Sequence, residues 1–268
     1  MGHGTLRGMK HGTRRPAKHG GAQVLATTGS MATVTLDAGA NKYVPSSAAE
    51  WTTTLAVAGI SSGGPSNLYL CQEASGTLAD SIGAAPLTQS GAGHLYAQTI
   101  APWTRVGLRT VDGTVGQKWL NSTTSPNPNL VSTLWLAYIA FPAVAPAAAR
   151  DLIANQAALD CRVTAAGKFN VLNGASTVGT ANPLNASHPV VVKHDITNSV
   201  FVGYTEQEKV VGTYAANSSN PMLALGGQTT SAADAGYVYV AEFSGAAAEL
   251  SDAQIKTLLQ TLNWTVLW

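Results

Sequence analysis

The sequence is poor in charge. Asp, Glu, Lys and Arg make up 11% of its 268 residues, where an ordinary soluble domain carries about 25%. Gly, Ala, Ser, Thr and Asn fill their places. Such a surface suits a protein packed against neighbours better than a freely diffusing enzyme. Cysteine is scarce too. Cys71 and Cys161 cannot make a disulfide framework. They could pair with each other, but two buried free thiols are expected. Long apolar runs are missing. The longest, "LWLAYIAFPAVAPAAA", is broken by Pro142 and Pro146, and none reaches the ~18 residues of a membrane span. The N-terminal stretch lacks the apolar core of a signal peptide. No membrane partner is expected. The patterns GxSxG, HExxH and CxxC are also missing, which removes the common nucleophile and zinc motifs.

What charge there is falls unevenly. The formal net charge is +1, yet residues 1–36 hold five of the fifteen basic residues and none of the fourteen acidic ones. The rest of the chain is left with ten basic against fourteen acidic residues. The five are Arg7, Lys10, Arg14, Arg15 and Lys18, in "MGHGTLRGMKHGTRRPAKHGGAQ". Gly and Pro break any helix there, and no apolar periodicity appears. Residues 1–22 therefore read as an extended basic arm, and the five cations as its partner-binding groups. A basic arm on a mildly acidic body calls for an anionic partner. His3, His11 and His19 recur every eight residues, but without a rigid frame they set no metal geometry. No cofactor is expected.

From residue 23 the pattern changes. Residues 23–66 read as a linker region with one strand, "MATVTLDAG", and one short helix, "SSAAEWTTTLAVAG". Ser46 or Ser47 could cap that helix, Trp51 and Leu55 lie one turn apart, and Gly59 would end it. Residues 67–268 are mostly short strands between turns: "NLYLCQE", "HLYAQTI", "RVGLRTV", "STLWLAYIAF", "DCRVTAA", "KFNVLNG", "PVVVKHDI", "SVFVGYT", "EKVVGTY", "MLALGGQ" and "GYVYVAEFS". Turn signals such as Asp112-Gly113 and Asn173-Gly174 sit between runs. So many short strands imply two packed antiparallel sheets, an all-β sandwich. A helix closes the chain. In "ELSDAQIKTLLQTLNW" Ser251 and Gln254 form a capping box. Asp252 favours the positive end of the helix dipole. Ile255, Leu258, Leu259 and Leu262 make one apolar stripe, which should lie on the sandwich.

Candidate chemistry is thin. Hydrolysis of a glycoside needs two carboxylates roughly 5–10 Å apart in a cleft. Glu206 and Glu208, two apart in a predicted hairpin, would share one face of a strand; a solvated turn is the expectation. Glu73 and Glu242 fit buried or edge positions. In Lys193-His194-Asp195, strand neighbours point to opposite faces, so the three cannot converge. His94 and His188 read as histidines satisfied by local hydrogen bonds, and Cys71 as a packed thiol. Trp103, Trp119, Tyr204 and Tyr214 are possible sugar platforms. Trp135 and Tyr138 belong to the core, and Trp264 and Trp268 pack beside the last helix.

These runs resemble a known family. "LYLCQEASGTLADSIGAAPLT" is similar to the opening of laminin-G-like, concanavalin-A-like jelly rolls. "SVFVGYTEQEKVVGTY" resembles their central hairpin, "MLALGGQ" the strand after it, and "VYVAEFSGAAAELSDAQIKTLLQTLNW" their closing strand and amphipathic helix. The likeness runs from about Leu68 to Trp264 and implies an antiparallel jelly-roll sandwich. In that family the acid matching Glu242 binds backbone groups. Two features depart from the pattern: the hairpin turn is "YTEQEK" rather than "DG", and the loops lack the clustered Asp and Asn of a calcium site. "YVPSSAAEWTTTLAVAG" and "APWTRVGLRTVDGTVGQKW" resemble pieces of tailed-phage virion proteins.

Resemblance and split charge together imply a non-enzymatic virion structural protein. The expectation is a bacteriophage capsid decoration or cement protein, homo-oligomeric, held to the major capsid protein or another virion protein by its arm. It would sit on the capsid surface after assembly in the host cytoplasm. The alternative is a carbohydrate-binding, lectin-like module for host or surface attachment. Nucleic acid suits the arm less well, because no Trp, Tyr or Phe is interleaved with its cations.

Overall fold

The computed structural model describes residues 36–37, 42–43, 48–59, 67–71, 73–82, 86–90, 95–99, 106–109, 118–121, 133–141, 145–146, 148–155, 159–173, 175–184, 186–195, 197–213, 223–225, 237–244 and 250–268. All of these fall in a unit spanning Ala32–Trp268. The basic arm, the Asp112-Gly113 turn and the Ser46 and Ser47 caps lie outside the described residues.

The chain is all-β with two helices. Its strands are β1 (Leu36–Asp37), β2 (Lys42–Tyr43), β3 (Asn67–Tyr69), β4 (Leu87–Ser90), β5 (Leu95–Thr99), β6 (Val106–Arg109), β7 (Lys118–Asn121), β8 (Thr133–Ala140), β9 (Arg150–Asn155), β10 (Leu159–Val163), β11 (Phe169–Asn173), β12 (Ala175–Val178), β13 (Ser187–Asp195), β14 (Val200–Tyr204), β15 (Lys209–Thr213), β16 (Leu223–Leu225) and β17 (Tyr237–Ser244). The helices are α1 (Ala48–Val57) and α2 (Asp252–Thr261). One sheet runs β12-β11-β10-β9-β16-β7-β4, the other β15-β14-β13-β8-β17-β6-β5, with β3 added beside β17. Pairing is antiparallel in both. This is the sandwich expected from the strand pattern.

Register sorts the residues of the second sheet into two faces. His194 pairs with Phe201, Val192 with both Trp135 and Gly203, and Phe201 with Gly212. Directly opposed residues share a face, so these point the same way. They meet the other sheet: a Cβ on Gly203 would lie 2.7 Å from Val171 and 2.8 Å from Phe169 of β11, and one on Gly212 would lie 3.1 Å from Val171. Glycine is there because the sheets come too close for a side chain.

The opposite face carries Leu134, Leu136, Tyr138, Val191, Lys193, Val202 and Tyr204, all buried. The helices cover it. Trp51 of α1 packs against Tyr138 with ring centroids 6.3 Å apart and planes tilted by 46°, and Leu55 one turn later is also buried. Gly59, at φ +77°, supplies the left-handed residue that ends α1. α2 has the capping box read from the sequence: the Gln254 amide donates to Ser251 Oγ, and the Gln254 side chain accepts from the Ser251 amide. Its stripe of Ile255, Leu258, Leu259 and Leu262 is buried, each residue contributing roughly 2 kcal/mol. Gln254 Nε2 reaches the Gly59 carbonyl at 3.3 Å, joining the two helices. β8 and β13 are thus buried on both faces, which is why they read as continuous apolar runs rather than alternating ones.

Cys71 and Cys161 are both buried and form no disulfide. Among the described residues no helix is long and apolar enough to cross a membrane.

Candidate functional site

A polar cluster lies where the β14–β15 turn meets the C-terminal strap, residues 264–268. The turn is Thr205–Glu208. It closes with the Thr205 amide on the Glu208 carbonyl at 2.9 Å. Thr205 Oγ1 accepts from the amides of Gln207 (3.2 Å) and Glu208 (3.3 Å), a local bond that Thr makes readily. The turn therefore has a fixed shape and sends its two carboxylates to fixed places.

Glu206 is buried, which corrects the expectation of a solvated turn at that residue, while Glu208 is half-buried. Glu206 is 9% exposed, and its Oε1 lies 2.6 Å from His188 Nδ1. The other ring nitrogen of His188 lies 3.0 Å from the Pro183 carbonyl, and Phe141 meets the ring edge-on at 5.6 Å. Glu208 Oε2 accepts from the amides of Thr180 (2.6 Å) and Ala181 (3.1 Å). It rests directly on Gly179, where a Cβ would collide with the carboxylate. A "TEQE" turn looks solvent-facing because its partners are 18 and 28 residues away, beyond any local pattern. The reading of His188 as a satisfied histidine is correct.

The strap hangs on the same turn. The Leu267 amide donates to the Glu206 carbonyl at 2.8 Å. Trp268 Nε1 donates to the Thr205 carbonyl at 2.8 Å, and its ring lies 5.2 Å from Tyr204. Lys256 donates to the Trp268 carbonyl and sits 5.7 Å from the centre of its ring.

A second group fixes the start of α2. Lys193 Nζ donates to the Leu250 carbonyl at 2.8 Å and pairs with Asp195 at 3.3 Å. Tyr204 donates to Asp252 at 2.8 Å, and Lys209 pairs with the same carboxylate. Burial pushes Asp252 up, but the Lys209 and Tyr204 hydrogen bonds outweigh it and hold the carboxyl below its ordinary value. Asp195 behaves alike: burial opposes ionisation, and hydrogen bonds from Asn198 and Lys193 prevail. Burial, with Asp252 beside it, drives the Tyr204 hydroxyl well above the usual tyrosine range.

Lys193 and Asp195 thus share the helix-covered face. His194 points between the sheets, edge-on to Phe201 at 5.9 Å. Desolvation lowers its pKa to about 4, against the opposing pull of Asp195. As the alternation required, the three do not converge.

Other candidates sit elsewhere. Glu73 accepts from the Ala79 amide at 2.7 Å. Asp80, in the "ADS" segment, was not singled out as a site residue. It accepts from Asn67 Nδ2 at 2.6 Å and from the amides of Leu68 and Ile82 at 3.1 Å, pinning that loop to β3. Trp135 and Tyr138 are buried. Tyr204 is 0% exposed, so it is no sugar platform. Trp103, Tyr214, His94 and the side chains of Trp119 and Glu242 lie outside what is described, as do Arg7, Lys10, Arg14, Arg15 and Lys18. Among the described residues no group of three or more His, Cys, Asp or Glu is placed to hold a metal ion.

With this geometry in hand, known proteins can be compared. No family model and no curated protein matches the sequence. Solved structures do match. A Trypanosoma rangeli sialidase in complex with a difluoro-KDN aligns with a TM-score of 0.53 at 15% identity, over 73% of this chain and 32% of that one. The binding domain of Botulinum neurotoxin DC in complex with SialylT aligns with a TM-score of 0.50 at 12% identity, over 74% of this chain and 51% of that one. The likeness is one of fold. The chain spans about a third of the sialidase and about half of the toxin chain. Chemically, the described cluster is a brace: Glu206 Oε1 is tied to His188 and Glu208 Oε2 to the Thr180 and Ala181 amides, while the second oxygen of each carboxylate is buried without a hydrogen bond.

Proposed function

We propose that this protein is a non-enzymatic attachment protein, a β-sandwich body displayed on a larger particle by its basic N-terminal arm. The observation that carries this reading is the use of the described carboxylates. Glu73, Asp80, Asp195, Glu206, Glu208 and Asp252 each hold a loop, a turn or a helix start in place. A fold that uses its acids in this way is built for rigidity rather than proton transfer. The particle we propose is a phage virion, with the laminin-G-like body as a capsid decoration and Arg7, Lys10, Arg14, Arg15 and Lys18 gripping an acidic surface of the shell. Ordering such an arm costs entropy, which many main-chain and charged contacts must exceed. The test is co-assembly of the full chain and of a chain lacking residues 1–22 with the shell protein. The full chain should be incorporated and the truncated one left in solution. Equal incorporation of both would refute the tether.

The second reading is glycan recognition, and the likeness to a toxin binding domain solved with SialylT favours it. A glycan array probed with the full chain tests it. Binding to one glycan class, lost on substituting Trp103 or Trp119, would make the body a lectin.

A further inference from the structure

β15 ends the eight-stranded sheet. β14 pairs with one side of it, and among the described residues no strand pairs with the other. Which of its groups face outward follows from the turn. The Thr205 amide bonds the Glu208 carbonyl, and Tyr204 is the partner of Lys209. Hydrogen-bonded and non-hydrogen-bonded pairs alternate along an antiparallel ladder. Gly203–Val210 and Phe201–Gly212 are therefore the bonded pairs, and Tyr204–Lys209, Val202–Val211 and Val200–Thr213 the others. Lys209, Val211 and Thr213 thus turn their N–H and C=O groups away from β14, toward the rim.

This rim is unlike the others. Edge strands are commonly blunted by bulges, by Pro, by charged side chains or by a cover. β5, at the far end of the same sheet, has a register shift between Leu95 and Gln98. β4, an edge of the sister sheet, is capped at Leu87 by a bridge to Leu78. β15 has five successive pairs without a shift and no Pro. Its one charge, Lys209, is drawn onto Asp252. Val211 in its middle is 45% exposed. The sister sheet ends on the same side: β12 lies against β15 and carries Val178, also exposed.

We propose that β15 pairs with β15 of a second copy of this chain about a two-fold axis at Val211, joining the two eight-stranded sheets into one. The strand is its own complement. Antiparallel pairing centred there sets Val211 against Val211 and Lys209 against Thr213 at both ends. Outward groups then meet outward groups in three bonded pairs, and no cation lies directly opposite a cation. The axis stands perpendicular to the sheet, so the helix-covered faces stay on one side and the exposed Val211 side chains meet there. Lys209 is already paired with Asp252, so the strand offers no unpaired charge for an unlike partner to read. Such an interface is isologous and closes at two copies, held by the main-chain bonds of strand addition. It does not depend on what the arm or the body binds.

The test is sedimentation of the full chain over a concentration series, with amide hydrogen exchange measured at its two ends. The wild type should reach twice the 27.5 kDa of one chain. The Lys209, Val211 and Thr213 amides should exchange roughly tenfold more slowly in the dimer than on dilution to monomer, the factor expected for one hydrogen bond gained. The Val210 and Gly212 amides, bonded to β14, should stay protected throughout. Val211→Pro removes only an outward N–H, which an edge strand tolerates. It should sediment as a monomer with the circular dichroism of the wild type. If it does not fold, Val211→Lys sets two cations face to face at the axis and should also be monomeric. A wild type that stays monomeric at the highest concentration it tolerates would overturn the pairing. So would a dimer whose Val211 amide exchanges as fast as the monomer's, or one that survives either substitution.

Discussion

His194 puts a titratable ring where the sheets meet. In the unfolded chain it takes a proton below about 6.5; in the fold it stays neutral down to about 4. A group whose folded pKa is lowered adds stability above its unfolded value and loses it as the pH falls toward the folded one. The window is therefore about pH 6.5 to about 4, and the loss across it is roughly 3 kcal/mol. Urea unfolding at a series of pH values should show a falling midpoint over that range. His194→Gln should flatten it. Asp195 and Asp252 act later, because both lie below their ordinary 3.8; their contribution is lost only on further acidification. The alternation of "KHD" already separated His194 from its neighbours. What surrounds it comes from strand register, which no short stretch records.

Elements were legible where their signals are local. The capping box and apolar stripe of α2 were plain in the text, as were Trp51 and Leu55 on α1, and Asn173-Gly174 marks the β11–β12 hairpin. Strands β4, β7, β9 and β12 escaped notice. Each is only four to six residues long. "RDLIAN" opens with charges and "ASTV" is small and polar, so hydrophobic alternation is weak. Ser251→Ala should cost about 1 kcal/mol by removing the cap of α2, read as a lower thermal midpoint. Gly203→Ala tests the close approach of the sheets. Its new methyl meets Val171 and Phe169, and such overpacking costs about 1–3 kcal/mol. A thermal midpoint unchanged from wild type would mean that the sheets can part there without strain.

For the whole molecule, the sandwich follows from strand count and spacing, and its closing helix from periodicity. The partner of the body does not, because surfaces carry no periodic signature. The hub at Thr205–Glu208 escaped for the same reason: Glu206 and Glu208 show their role only once β13 and the loop 179–184 are brought beside them. The arm's sequence offers almost nothing to bury. Deleting residues 1–22 should therefore leave the circular dichroism spectrum and thermal midpoint of the body unchanged.

Strands β8, β13 and β14 of the eight-stranded sheet have one side against the sister sheet and the other roofed by α1 and α2. Along those strands a visitor finds no floor to land on, whereas Val211 of the edge strand β15 stays open on the roofed side. A partner that approaches this half meets the rim first, so specificity can be rewritten there while the interior keeps its sequence.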